Sequence, residues 1–179
     1  PVPGLSFQQI LGYENRQWEN HTYNPSTHRD EIENSRKGAA YLGFSKTENL
    51  TSEGYFTYLK EFKGGHSINA TAGYSYFEKN GEGFNMTNYN FSVDGIKYWD
   101  MNQGSYLRDG KAAMSSSKDI SEKLFSVFGR VNYSYNDKYM ASASIRHEGS
   151  SKFAADNRWA NFWSVTAGWR ISNEEFMKG

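Results

Sequence analysis

In Phe125-Ser126-Val127-Phe128-Gly129-Arg130-Val131-Asn132-Tyr133-Ser134-Tyr135 the residues at odd numbers, Gly129 apart, are apolar, and most of those at even numbers are small or polar. Side chains of a strand point to opposite faces in turn. A period of two therefore predicts an extended segment with one apolar and one polar face. The pattern repeats outward from here. Downstream, Tyr139, Ala141, Ala143 and Ile145 alternate with Met140, Ser142, Ser144 and Arg146. Further on, Trp163, Val165, Ala167, Trp169 and Ile171 alternate with Phe162, Ser164, Thr166, Gly168 and Arg170. Upstream, Ile68, Ala70, Ala72, Tyr74 and Tyr76 alternate with Ser67, Asn69, Thr71, Gly73 and Ser75. Leu5 to Tyr13 follows the same rule with Gln9 out of place, and Thr51 to Phe62 is extended with an ambiguous facing that suggests a bulge. Phe128, Met140 and Phe162 are apolar exceptions on the polar side.

Lys63-Gly64-Gly65-His66 and Asn136-Asp137 have the chemistry of tight hairpins. Long polar stretches at 21–49, 81–120 and 150–158 join the other segments, so long and short connections alternate. The expected fold is all-β, an antiparallel up-and-down meander of about six strands with its long loops at one end. No helical period of any length occurs, although Asn173-Glu174-Glu175-Phe176 can open a single helical turn. The chain opens Pro1-Val2-Pro3-Gly4 with no charged-then-apolar leader and reads as an excised piece.

Composition narrows the function. Lys and Arg number 20 and Asp and Glu number 20, so the formal net charge is zero and a dedicated nucleic-acid partner is not expected. With no cysteine there is neither a disulfide scaffold nor a thiolate metal site. Trp, Tyr and Phe number 5, 13 and 12 against 19 Val, Ile and Leu together, a bias that suits pleated surfaces. His21, His28, His66 and His147 lack ligand spacing, so no metal is expected. No nucleophile elbow, phosphate loop or paired glycosidase carboxylates occur, so no catalytic residue and no cofactor are expected.

Two architectures satisfy the alternation. In a soluble carbohydrate-binding β-sandwich the apolar face packs on a second sheet. In an outer-membrane barrel it meets lipid while the polar face lines the lumen. Strands of ten or more residues suit a tilted membrane crossing of ~9–11 residues. Tyr133, Tyr135 and Tyr139 flank a short turn, and Trp163 and Trp169 bracket Val165 and Ala167, as lipid-interface aromatics do. One-sided long loops point the same way, and the barrel is the stronger expectation.

The segment Val127 to Tyr139 resembles a signature of the SusC/RagA family of TonB-linked outer-membrane transporters. So do Ser144-Ile145-Arg146-His147-Glu148-Gly149-Ser150-Ser151-Lys152-Phe153, the run from Asn157-Arg158-Trp159 to Arg170-Ile171-Ser172, and Glu174-Glu175-Phe176. Gly65-His66-Ser67 to Ala72-Gly73-Tyr74 is a weaker element. Arg146-His147-Glu148-Gly149 stands where the family usually has Arg-Arg-Asp-Gly, and Phe162-Trp163 where it often has Phe-Pro. The resemblance implies that residues 1–179 are part of a large transmembrane barrel of about twenty-two strands in the bacterial outer membrane, with its plug outside this chain. It implies import of a nutrient, an oligosaccharide first and a peptide second. It further implies a SusD-like surface lipoprotein as lid, energy through TonB, and outer-membrane lipid around the barrel.

Two residue groups carry the candidate chemistry. Tyr98, Trp99, Tyr106 and Arg108 lie in the longest polar stretch, with Asp94, Asp100 and Asn102 near them. Ring faces beside amides and carboxylates suit a sugar, so these are candidate substrate contacts. Arg130, Arg146, Glu148 and Arg170 fall on the polar side, where an inward salt-bridge network that holds register is the favoured role. A charge on the lipid side would cost ~2–4 kcal/mol at the midplane.

Overall fold

The computed structural model describes residues 2–119 and 121–177. Seven strands form one sheet: β1 (Leu5–Pro25), β2 (Gly38–Phe62), β3 (His66–Tyr89), β4 (Ala113–Lys118), β5 (Glu122–Tyr135), β6 (Tyr139–Ser150) and β7 (Trp159–Trp169). Their order is β1-β2-β3-β5-β6-β7, with β4 paired to β3 off that path. Two short helices, α1 (Arg29–Glu33) and α2 (Ser105–Arg108), interrupt the loops. A sandwich needs a second sheet to cover the apolar face, and the described strands make only one.

The chain divides into two compact units. The first comprises Pro1–Tyr13, Asn49–Lys79 and Ser121–Gly179, the second Glu14–Glu48 and Asn80–Ile120. In the first unit β3 pairs with β5, β5 with β6 and β6 with β7, all antiparallel. The hairpin turns carry the backbone their sequences allow. Gly64 and Gly65 have φ of 85° and 79°, and Asn136 and Asp137 have φ of 51° and 53°, the left-handed pair of a tight turn. The end of the chain forms 3-10 turns at Ile171–Asn173 and Glu175–Met177 in place of one helical turn.

In the second unit the sheet reaches into stretches that the sequence suggested were loops. β1 continues to Pro25 and β2 starts at Gly38, inside 21–49. β3 runs to Tyr89 and β4 occupies 113–118, inside 81–120. The connections that remain are 26–37, 90–112 and 151–158. These strand halves are mostly polar, with only a short apolar alternation at Ala40, Leu42 and Phe44 and at Phe84 and Met86, so the hydrophobic period is weak there and the backbone ladder carries more of the pairing.

β4 and β5 both lie antiparallel to β3 in slightly different registers. Lys79 faces Glu122 in the first unit, and Glu82 faces Lys118 in the second. Three steps along β3 thus match four steps along the returning chain, so the two ladders are offset by one residue. That accounts for seven segments where six strands were expected.

The units are held differently. Large apolar side chains of the first unit stand exposed, with Ile145 at 58%, Trp163 at 77% and Val165 at 69% of full exposure. The buried apolar residues among those described are Ala39, Ala40 and Phe91, all in the second unit.

Candidate functional site

The register sorts the first unit into two faces. On one, His66, Tyr135, Tyr139 and Trp169 form a row of direct partners. Next come Ile68, Tyr133, Ala141 and Ala167, then Ala70, Val131, Ala143 and Val165, then Ala72, Gly129, Ile145 and Trp163. Ten residues from the first row lie Tyr76, Phe125, Gly149 and Trp159. Ten residues span about 33 Å along a strand. At a tilt of 35–45° that is close to the ~25 Å apolar band of a membrane barrel.

The rings of the first row stack. Tyr135 and Tyr139 lie 6.4 Å apart at 17°, Tyr139 and Trp169 6.4 Å apart at 12°, and His66 sits 4.7 Å from Tyr135. Glu174 closes this end. Its carboxylate accepts from Lys138 Nζ at 2.9 Å, from Tyr139 OH at 2.9 Å and from Trp169 Nε1 at 3.1 Å. The Lys138 ammonium, the Trp169 indole and the Tyr139 hydroxyl together hold the Glu174 carboxyl below the usual carboxylate range, and the same pairing raises Lys138.

Of the interface aromatics expected from the sequence, Tyr135, Tyr139 and Trp169 share this end row, Tyr133 sits one row in, and Trp163 stands three rows in beside Ile145. The opposite row was missed. The signal was available: Tyr76, Phe125 and Trp159 each lie ten residues from a first-row partner. His147 stacks on Trp159 at 4.7 Å and 3°. Gln9, the misfit of β1, is satisfied within this face. Its amide donates to Ser52 Oγ at 3.2 Å, Ser52 Oγ lies 3.1 Å from Tyr74 OH, and Tyr74 OH donates back to Gln9 Oε1 at 3.2 Å.

The other face is polar. Asn69, Asn132, Ser142 and Thr166 form one row, and Thr71, Arg130, Ser144 and Ser164 the next. Arg130 Nε donates to Asn132 Oδ1 at 3.2 Å. The following row is Gly73, Phe128, Arg146 and Phe162, so two of the apolar exceptions flank Arg146, whose guanidinium lies 6.0 Å from the Phe128 ring centre. Arg146 also pairs with Glu148 at 2.8 Å. Arg170 lies just beyond β7, where its backbone N–H donates to Lys138 O at 2.7 Å.

In the second unit the loop 90–112 is anchored at three points. Asn88 is buried, and its amide donates to Met101 O at 2.7 Å and Gly104 O at 2.8 Å. Phe91 is buried edge-on against Tyr23 at 5.7 Å. Asp94 accepts from Ser26 N at 2.9 Å, Tyr23 OH at 2.7 Å and Ser26 Oγ at 2.7 Å, and these bonds hold its carboxyl below the ordinary range. Beside them the buried Glu31 carboxylate takes two bonds from Arg36, at 2.8 and 3.1 Å, and Arg36 lies 4.3 Å over the Tyr89 ring. Sequence reasoning missed Asn88, Glu31 and Arg36, whose partners are backbone groups and neighbours that no periodicity encodes.

The four candidate substrate contacts fall into two clusters. Tyr98 stacks on His21 at 5.0 Å and packs on Trp99 at 4.8 Å, and Trp99 is 77% exposed. Tyr106 packs on Tyr89 at 5.4 Å beneath Lys111. Arg108 ends α2 and is exposed.

TonB-dependent receptor P3 of Formosa agariphila is 33% identical to this chain over 180 residues, which cover 99% of the chain and 17% of that protein. TonB-dependent receptor SusC of Bacteroides thetaiotaomicron is 40% identical over 70 residues, 39% of the chain and 7% of that protein. The solved RagAB peptide transporter superposes with a TM-score of 0.87 at 20% identity, covering all of this chain and 19% of the matched one. The chain belongs to the SusC/RagA family. It spans under a fifth of the length of these curated relatives. No family model matches it. A SusC/RagA barrel supplies the solvents that the two faces require. In a barrel of this kind an apolar sheet face meets lipid and a polar face lines the lumen.

Proposed function

We propose that the protein carrying this chain imports a nutrient across the bacterial outer membrane, as a TonB-dependent SusC-like transporter. The observation behind this reading is the division of the β3-β5-β6-β7 sheet into an apolar face bounded by two aromatic rows and a polar face bearing Arg130, Arg146 and Glu148. The wall holds the pore. Arg130, Arg146, Glu148 and Arg170 give the inner side its polar character, with Arg146 paired to Glu148 and Arg130 bonded to Asn132 in place of one shared network, and Tyr133, Tyr135, Tyr139, Trp163 and Trp169 anchor the wall in lipid. TonB, acting on plug segments, supplies the energy, and a SusD-like surface lipoprotein covers the entrance.

The substrate is an oligosaccharide. Tyr98 and Trp99 offer ring faces to it, with Tyr106 and Arg108 further along the same loop. A peptide is the second reading, because the RagAB neighbour is a peptide transporter. The test is glycan and peptide uptake by cells carrying the full gene with residues 90–112 replaced by a short Gly-Ser link. Retained surface expression with loss of glycan uptake is expected. Unchanged uptake would assign the loop to the wall and remove Tyr98, Trp99, Tyr106 and Arg108 from the substrate path.

A further inference from the structure

The second unit holds a cavity of about 350 Å³ that no role above uses. That size falls at the small end of small-molecule sites, ~300–1,000 Å³. Trp18, Asn20, Tyr41, Asn85, Ser115 and Ser117 supply its ring faces and polar groups. We propose that this cavity is a binding subsite for a neutral oligosaccharide; the proposal rests on the transport reading above and assigns its substrate class to named residues.

Four observations carry it. First, no residue lining the cavity is charged. A uronic acid, a sulfated sugar or a free peptide terminus would find no counter-ion there. Second, the polar groups are Asn amides and Ser hydroxyls, which both donate and accept, as sugar hydroxyls do. Among the described residues, the Asn20, Asn85, Ser115 and Ser117 side chains make no hydrogen bond to protein, so their capacity is free for a ligand. The comparison with Asn88 is direct: that amide is spent on two backbone carbonyls.

Third, the two rings are presented for stacking. The Trp18 indole is 68% exposed and makes no ring contact or hydrogen bond among the described residues. Tyr41 lies against Gly43: a Cβ built there would meet the Tyr41 hydroxyl oxygen at 2.6 Å and ring carbons at 3.0 Å. The Tyr41 ring thus lies over bare backbone at Gly43 while lining the cavity. The C–H groups of a pyranose pack on such a face. Fourth, the floor is kept flat by a second glycine, since a Cβ at Gly83 would meet Phe44 O at 2.7 Å. Ser117 and Ser115 stand opposite Gly83 and Asn85 in the ladder, so all four share one face. Asn85 continues the odd-numbered series of β3, which is small and polar from Ser67 to Ser75.

The test uses the full transporter in detergent and calorimetric titration with maltoheptaose, laminarihexaose and xylohexaose. An alginate hexamer and the neutral peptide acetyl-(Ala-Ser)3-amide serve as the other classes. At least one neutral hexose or pentose oligomer is expected to bind. Trp18→Ala and Tyr41→Ala should each weaken it about tenfold, and Trp18→Phe should recover most of the loss, since an aromatic face is what packs on the sugar. Ser115→Ala, which removes only a hydroxyl, should weaken binding about threefold and serves if an aromatic variant fails to reach the membrane folded. Neutral-glycan binding that is unchanged in these variants overturns the proposal, as does binding of only the alginate or only the peptide. Uptake by cells separates the two readings. Trp18-dependent glycan binding without uptake of any nutrient would sink the transport reading and leave the subsite standing. Glycan uptake that is indifferent to Trp18 and Tyr41 would do the reverse.

Discussion

The two units of this chain solve the same problem, ordering a polar and aromatic chain with few aliphatics, in opposite ways. The first unit exports its apolar side chains. Val165, Ile145 and Trp163 stand outward, and order comes from the antiparallel ladder and from rows of like side chains. The second unit imports its critical groups. Phe91, Asn88 and Glu31 are each at most 2% exposed, and each is held by a specific partner. A barrel wall in lipid needs no aliphatic core, because the bilayer covers its apolar face. The second unit instead buries an aromatic ring and satisfied polar groups. Sensitivity to substitution should therefore run inward in one unit and outward in the other.

The largest effect is expected at the inward-facing ring. Phe91→Ala should cost about 3–5 kcal/mol in the second unit. Hydrogen exchange should show lost protection at residues 88–112 with β5, β6 and β7 unchanged. Equal loss in those strands would mean that the units do not unfold separately. Next comes the outward face. Ala143→Arg should cost about 2–4 kcal/mol and lower the folded fraction seen by heat-modifiable migration in gels, whereas Ser144→Arg, one residue on, should cost much less. Equal costs at the two positions would erase the distinction between faces.

The smallest effect is at Glu174. Its folded pKa lies below the ordinary value near ~4.3, so its contribution is present above that value and fades as pH falls through the lowered one. Lys138 is raised, so its share is present below ~10.4 and fades as pH climbs through its folded value. Glu174→Gln should lower the melting temperature by a constant amount between about pH 5 and 10, with the gap to wild type closing on either side. A gap that does not shrink at all as the pH is lowered would show that the carboxylate charge is not what holds Lys138, Tyr139 and Trp169.

The legibility of the fold follows the same division. In β5, β6 and β7 most apolar side chains share one face and most polar ones the other, so the period can be read. Even the exceptions were informative, since Phe128 and Phe162 prove to be the register partners of Arg146. The loop residues were legible only as chemistry. Tyr98, Trp99 and Tyr106 read as exposed rings, but their division between His21 and Tyr89 depends on chain pairing that spans tens of residues. Asp94 looked like one more loop carboxylate; its role comes from Ser26 and Tyr23, 68 and 71 residues away in sequence. Trp18 lies in a stretch with no apolar period, and Tyr41 falls between the alternating Ala40, Leu42 and Phe44, which is why the cavity they line escaped sequence reading.

The extra residue between the β4 and β5 ladders bears on how such a gene tolerates change. Removing one codon inside β5 would swap lipid-facing and inward-facing side chains over the rest of that strand. Removing one codon from positions 119–121 would make the spacing from Lys118 to Glu122 equal to that from Lys79 to Glu82. The return would then pair without interruption, and every side chain on both sides of the deletion would keep its facing. A one-codon deletion is thus neutral for facing at this seam and ruinous a few residues away.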